Sequence, residues 1–179
     1  MMLGLEILGS ISILLCVYLT AKQNVLCWPI GILGCIAYLI IFYSSELYGE
    51  SFLQIVFIIQ SLYGWYYWKK KDDLLNVTKI GILPILNHLV ILIILFIGVI
   101  MGVEFMGILD TVITLLSLLA TYYLTKKYLE SWYLWIVVDI LAIILFFDRG
   151  LYVSSALYLG LLILATNGLF KWKKSLKTV

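Results

Sequence analysis

The 179-residue chain is 64% hydrophobic and only 12% charged, with a formal net charge of +2 and a mean hydropathy of +1.12. So few polar side chains cannot cover a soluble globule, which excludes soluble enzymes and nucleic-acid-binding domains and leaves a polytopic membrane protein. The apolar runs are continuous, whereas the strands of a transmembrane β-barrel alternate over about ten residues, so the fold class is all-α.

A spanning helix needs about 20 apolar residues to cross a hydrocarbon core about 30 Å thick. Charged punctuation delimits seven such segments, at about 3 to 21, 26 to 44, 51 to 68, 80 to 101, 107 to 125, 131 to 147 and 151 to 170. The first lacks a basic leader and a clear small-residue cleavage site, so it reads as a structural helix and not as a cleaved signal peptide. Pro29, with Gly31 and Gly34, opens the second segment, where a missing N–H costs nothing and a helix start is the simpler reading than a hinge.

The chain repeats itself at an offset of 104 residues, in the same order and direction. Tyr18 and Tyr122, Lys22 and Lys126, Trp28 and Trp132, Tyr48 and Tyr152, Ser51 and Ser155, Gly64 and Gly168, Trp68 and Trp172, and the Lys69-Lys70 and Lys173-Lys174 pairs all coincide without a gap. The seven segments therefore group as three, one and three: residues 1–75 as a first three-helix repeat, 76–105 as a linker with the fourth helix, and 106–179 as a second repeat. Three spans reverse the chain, so a single fourth span is needed before a parallel copy can follow. Such parallel repeats in an apolar chain point to transporters whose site lies between the copies.

Orientation follows from the lysines. Lys22, Lys69, Lys70, Lys71, Lys79, Lys126, Lys127, Lys171, Lys173, Lys174 and Lys177 fall on one side, and only Arg149 falls on the other. Basic short loops face the cytoplasm, which places the N-terminus outside and the C-terminus inside. The lysines then serve topology and lipid headgroups, and no nucleic-acid partner is implied. Glu46, Glu50, Glu104 and Asp148 mark the opposite, solvated side.

No hydrolase, zinc-protease or nucleotide-loop motif is present, and no cofactor or metal is expected. Cys16, Cys27 and Cys35 have no metal or redox spacing and read as small packing residues. His88, beside Asn87 in the fourth segment, reads as an interfacial hydrogen-bonding group. Polarity inside the spans is the remaining signal. Asp at a helix centre costs about 2.5–3.5 kcal/mol on insertion scales, so Asp139, near the middle of the sixth segment, calls for a function and a partner. Trp135 and Trp132 lie four and seven residues before it, on the same helical face. A carboxylate beside two indoles suits a flat organic cation, although the same spacing also describes a packing stripe with Asp139 bonded to a neighbouring helix. Gln54 and Gln60 in the third segment and Asn167 in the seventh supply amides for sugar hydroxyls or a carboxamide, or else for helix–helix bonds. Glu6 and Asp110 match across the repeat near the outer ends of their helices and read as interfacial. Cys35 occupies the repeat position of Asp139, and Tyr63 that of Asn167, so polar specificity is concentrated in the second half.

The stretch from Trp132 to Trp135, Asp139, then Gly150-Leu151-Tyr152, Asn167-Gly168 and Trp172 resembles the signature of the PnuC vitamin transporters. Leu53-Gln54, Tyr63-Gly64-Trp65 and Trp68 resemble the matching part of that family's first half. The resemblance implies seven helices in a 3+1+3 arrangement like that of the SWEET sugar transporters, in a bacterial inner membrane. It implies facilitated uptake of a vitamin, typically nicotinamide riboside, trapped afterwards by a cytosolic kinase. It also implies stacking of the substrate on Trp132 and Trp135, with polar contacts from Asp139, Gln54 and Asn167. The nicotinamide riboside members have Asn at the position of Asp139 and an amide at that of Ser61. The compact linker and the Trp28-Pro29-Ile30-Gly31 stretch are instead features of thiamine-type relatives, so thiamine stands as the alternative substrate. A membrane scaffold or channel is the rival class, and a homo-oligomer is compatible with the sequence.

Overall fold

The computed structural model describes residues 2–45, 48–70, 76–80, 105–148, 150 and 152–176, with the side chains of 2, 48–50, 105–107 and 153 left aside. Six helices lie among them: α1 (Met2–Ala21), α2 (Cys27–Ser44), α3 (Tyr48–Lys70), α4 (Phe105–Thr125), α5 (Glu130–Asp148) and α6 (Tyr152–Ser175). These carry six of the seven expected spans. The fourth, with Asn87 and His88, lies outside the described residues, as do Glu46, Glu104 and Arg149 and the side chain of Glu50. Five helices are long and apolar enough to cross a membrane. The exception is α3, whose 23 residues include Glu50, Gln54, Gln60 and two C-terminal lysines.

Three of the helices turn rows of large apolar side chains outward. Ile7, Ile11 and Leu15 on α1, Leu33, Ile36 and Ile40 on α2, and Val137, Ile140 and Ile144 on α5 recur at three- and four-residue steps and are exposed, a lipid-facing stripe in each case. Small residues face inward, because lipid is as apolar as leucine and association rests on close packing. Gly31 meets the Sγ of Cys16, Gly34 meets Ile13 and Ser12, and Gly9 meets the Tyr38 ring, which brings α1 against α2. Cys16, Cys27 and Cys35 are free thiols, and Cys27 and Cys35 are buried.

Among the described elements each helix contacts only its two neighbours, in the closed order α1, α2, α3, α4, α5, α6 and back to α1. The joints between the sequence halves, α3 with α4 and α6 with α1, are parallel helix pairs. At the first, Gln60 Nε2 donates to the Leu118 carbonyl (3.2 Å) and Trp68 Nε1 to that of Thr125 (3.1 Å). At the second, Trp172 Nε1 donates to the Thr20 carbonyl (3.1 Å) and Gln23 Nε2 to Ser175 Oγ (2.9 Å).

The 104-residue offset reappears as geometry. Gln23 and Lys127, the two non-glycine residues with positive φ (56° and 54°), are repeat partners. Both close the same helix C-cap. Gln23 N donates to Thr20 O and Asn24 N to Leu19 O; Lys127 N donates to Leu124 O and Tyr128 N to Tyr123 O. This Schellman pattern satisfies the last carbonyls of α1 and α4 and starts the turn into α2 and α5. One feature breaks the symmetry. Residues 76–80 lie along the α4–α5 loop, with Thr78 N donating to Lys127 O, Leu129 N to Thr78 O, and Ile80 N to Glu130 Oε2.

Candidate functional site

The lysine-bearing helix ends form one basic end. There, lysines ride on tyrosine faces: Lys22 Nζ lies 4.5 Å from the Tyr18 ring and Lys126 Nζ 4.1 Å from that of Tyr67. Partial burial works to lower the Lys126 pKa, but its bond to Tyr63 and the neighbouring tyrosine oxygens outweigh this and raise it. A cleft of about 730 Å³ opens at this end between Lys79, Leu129, Glu130, Tyr133, Lys173 and Leu176. Asp139 is not part of its wall.

Asp139 stands nine residues from either end of α5, about 13.5 Å along the axis from each. It is 2% exposed, and among the described residues none donates a hydrogen bond to its carboxylate and no basic side chain pairs with it. Tyr158 of α6 is within electrostatic reach of Asp139, of Tyr38 on α2 and of Asp110 on α4. Tyr158 is held by stacking on Phe146 (centroids 5.3 Å apart, planes at 25°), and Tyr38 shares a 2.8 Å hydrogen bond with Ser10 of α1. One hydrogen bond and these electrostatic links thus connect polar groups of five helices. Tyr158, Tyr38 and Ser10 are additions to the sequence-predicted set. The repeat held a signal for Tyr158, since it is the partner of Gln54 (54 + 104 = 158).

Trp132 and Trp135 share the Asp139 face of α5 but have different surroundings. Trp132 is 1% exposed; its ring covers Gly168 and meets Trp172 edge to face, with centroids 5.4 Å apart at 88°. A Cβ on Gly168 would stand 2.5 Å from the Trp132 ring, so only glycine admits the indole there. Trp135, one turn nearer Asp139, is partly buried against the same core. Gln60 spends its amide nitrogen on the Leu118 carbonyl, and its buried Oε1 has no hydrogen-bond partner among the described residues. Gln54 is half-buried, and Asn167 is exposed. The buried face of α6 runs through Leu161, Ala165, Gly168, Leu169 and Trp172. Asn167 lies about 100° round the helix from Gly168. Among the described residues no hydrogen bond joins Gln54 or Asn167 to Asp139. The described residues also hold no group of three His, Cys, Asp or Glu side chains able to bind a metal.

A buried carboxylate on the midline of a span, with a tyrosine hydroxyl in electrostatic reach and an indole one turn away, can hold a compact organic cation. The family described as nicotinamide mononucleotide transporter matches residues 3–174. The nicotinamide riboside transporter PnuC of Escherichia coli is 24% identical over 205 residues, covering 96% of this chain and 85% of that protein. Its Haemophilus influenzae counterpart is 23% identical over 185 residues, covering 97% and 80%. The crystal structure of the vitamin B3 transporter PnuC superposes with a TM-score of 0.77 at 21% identity, covering 96% of this chain and 81% of that one. With nearly its whole length matched, the chain belongs to this family of membrane transporters and is not an enzyme.

Proposed function

We propose that the protein takes up nicotinamide riboside, a small cationic vitamin, by facilitated diffusion through alternating access. The relatives' names supply the riboside, and the observation that favours this cation over its mononucleotide is the acidic interior, where Asp139 replaces the Asn of the nicotinamide riboside members. Asp139 is buried, Asp110 and Tyr38 share its neighbour Tyr158, and the described lysines lie at or beyond the helix ends. The family's description names the mononucleotide and its relatives' names the riboside. The two differ by a phosphate bearing about −1.5 to −2 charges at neutral pH. Such an anion is disfavoured beside a buried carboxyl group, whereas the cationic ring of the riboside favours the ionised form of Asp139 and so gains a countercharge there, with a stacking face on Trp135. Gln54 and Asn167 serve the ribose and the carboxamide once the bundles move. Trp132 and Gln60 frame the site from the basic end and from α3.

Two parallel three-helix bundles, residues 1–75 and 106–179, rock about the central site, joined by the linker region 76–105 with its expected fourth span. This is supported by the chain's leaving the described part at Ile80, at the basic end, and re-entering at Phe105, at the opposite end. The N-terminus is outside and the C-terminus cytoplasmic in a bacterial inner membrane. A cytosolic kinase traps the product, and the substrate moves down its own gradient.

Liposomes holding the purified protein test this with a panel of nicotinamide riboside, its mononucleotide, thiamine and an uncharged isostere of the riboside. The riboside is expected to enter saturably without ATP, and the mononucleotide not to enter. Asp139→Asn keeps size and removes charge. A charge-assisted contact is worth about 1.5–3 kcal/mol, so riboside affinity should fall about tenfold or more while the isostere loses much less. Equal losses for both ligands would make Asp139 a packing residue, and preferential thiamine uptake would overturn the substrate assignment.

A further inference from the structure

Four tryptophans meet at the basic end of the ring. Trp28 packs over Gly64 and edge to face on Trp68, with centroids 5.3 Å apart at 90°. Trp132 packs over Gly168 and edge to face on Trp172, at 5.4 Å and 88°. The two T-shaped pairs are repeat images of each other, and they touch where Trp68 and Trp172 lie 6.2 Å apart. All four are at most 3% exposed, and they share one core with Ala21, Cys27, Leu124 and Leu129. Trp132 lies seven residues, about 10.5 Å, from Asp139 along α5. The cluster therefore stands between the polar centre and the basic end.

Its hydrogen bonds are crossed. Trp68 belongs to the first half and bonds the Thr125 carbonyl of the second; Trp172 belongs to the second and bonds the Thr20 carbonyl of the first. The other two indoles do the opposite. Trp28 Nε1 and Trp132 Nε1 are buried donors without a hydrogen-bond partner among the described residues. An unmade bond of this kind penalises the closed arrangement, and entry of water would remove the penalty. Two bonds made between the halves and two donors left unmade within them oppose each other, which suits a closure that must both hold and release.

We infer that the Trp28–Trp68–Trp132–Trp172 cluster is the gate at the basic end, held shut by the crossed indole–carbonyl bonds and biased toward opening by the two unsatisfied indoles. The inference rests on the alternating-access reading above. Cys27, 1% exposed beside Trp28, is a built-in reporter. The full-length protein with Cys16→Ser and Cys35→Ser keeps this one thiol, and its labelling by a polar maleimide in detergent reads gate opening. One net hydrogen bond is worth a factor of about 5 in such an equilibrium, so Trp172→Phe should speed labelling about fivefold and Trp68→Phe with Trp172→Phe about thirtyfold. Trp132→Phe removes an unsatisfied donor and should not speed it. A parallel protein keeping only Cys35 should show no acceleration in the double variant. Equal acceleration by Trp132→Phe, or at Cys35, would mean general loosening and overturn the gate; unchanged Cys27 labelling in the double variant would overturn it as well. Saturable uptake by the parent in liposomes is scored separately. Its absence would refute transport by alternating access, and with it the gate's role, even where the labelling pattern reports a closure.

Discussion

Gly64 and Gly168 offer one steric insult in two chemically different halves. A Cβ at Gly168 would lie 2.5 Å from Trp132 Cη2 and 2.6 Å from the two adjoining ring carbons; at Gly64 it would lie 2.4–2.6 Å from the same atoms of Trp28. Carbon atoms rest at about 3.5–4.0 Å, so either indole must retreat by about 1 Å or more. Neither has room, because Trp172 stands edge-on behind one and Trp68 behind the other. Overpacking of this kind costs about 1–3 kcal/mol, and Gly64→Ala and Gly168→Ala should lower the thermal midpoint in detergent by similar amounts. Ligand binding should separate them. Trp132 stands on the helix that carries Trp135 and Asp139, whereas Trp28 faces a half with Cys35 in the matching place. A retreat of Trp132 shifts the α5 face that presents Trp135, and loss of that stacking contact is worth about 0.5–2 kcal/mol, so Gly168→Ala should weaken nicotinamide riboside binding about 2-fold to 30-fold and Gly64→Ala much less. Equal binding losses in the twins, or an unchanged midpoint in both, would refute this reasoning.

Trp135→Ala and Trp132→Ala should each weaken riboside binding about 3-fold to 30-fold by equilibrium titration, with the protein still monodisperse in detergent; unchanged affinity in both would return them to packing. Tyr158→Phe keeps the stack on Phe146 and removes the hydroxyl in electrostatic reach of Asp139, so affinity should fall by about 1 kcal/mol, roughly fivefold, while the Cys27 labelling rate stays at the parent value. A protease-sensitive tag after Val179 should resist cleavage in intact cells and be cut in inverted vesicles, and the reverse pattern would invert the topology drawn from the lysines.

Much of the basic end was legible because it depends on local spacing and on duplication. The Schellman turns at Gln23 and Lys127, the Trp28–Gly64 and Trp132–Gly168 contacts and the paired Trp68 and Trp172 all fall on the 104-residue offset. Rotation of a helix about its own axis was not legible. Asn167 and Gly168 are neighbours in sequence, yet one is exposed and the other covered by an indole. Trp132 was read as a substrate face because it shares a stripe with Asp139. That its ring is spent on Gly168 and Trp172 depends on α6, which no stripe on α5 reports. Tyr158 is one of 13 tyrosines in an apolar chain, and its repeat relation to Gln54 marks the position without revealing its electrostatic link to Asp139. Gln60 shows the same limit, since its bond goes to a backbone carbonyl of α4, and a backbone acceptor has no residue signature.

The two halves keep their symmetry where the protein must move and lose it where it must discriminate. At the basic end, caps, glycines and tryptophans are duplicated, and the crossed indole bonds end one residue out of register, on Thr20 and on Thr125, where perfect symmetry would pair Thr20 with Leu124. On the proposed alternating-access cycle, matched joints would let two similar bundles swing with matched energies between two comparable states. Toward the centre the partners diverge: Asp139 against Cys35, Tyr158 against Gln54, Tyr38 against Ala142. A two-fold site would present the same groups to both ends of its ligand. Nicotinamide riboside has a cationic ring at one end and a neutral sugar at the other, and a single intramembrane carboxylate can be compensated only by one of them. If the substrate is the proposed riboside, burial of Asp139 in one half alone fits an asymmetric, singly charged ligand in a duplicated frame, since a second buried aspartate at position 35 would carry the full insertion cost with no cation to face it.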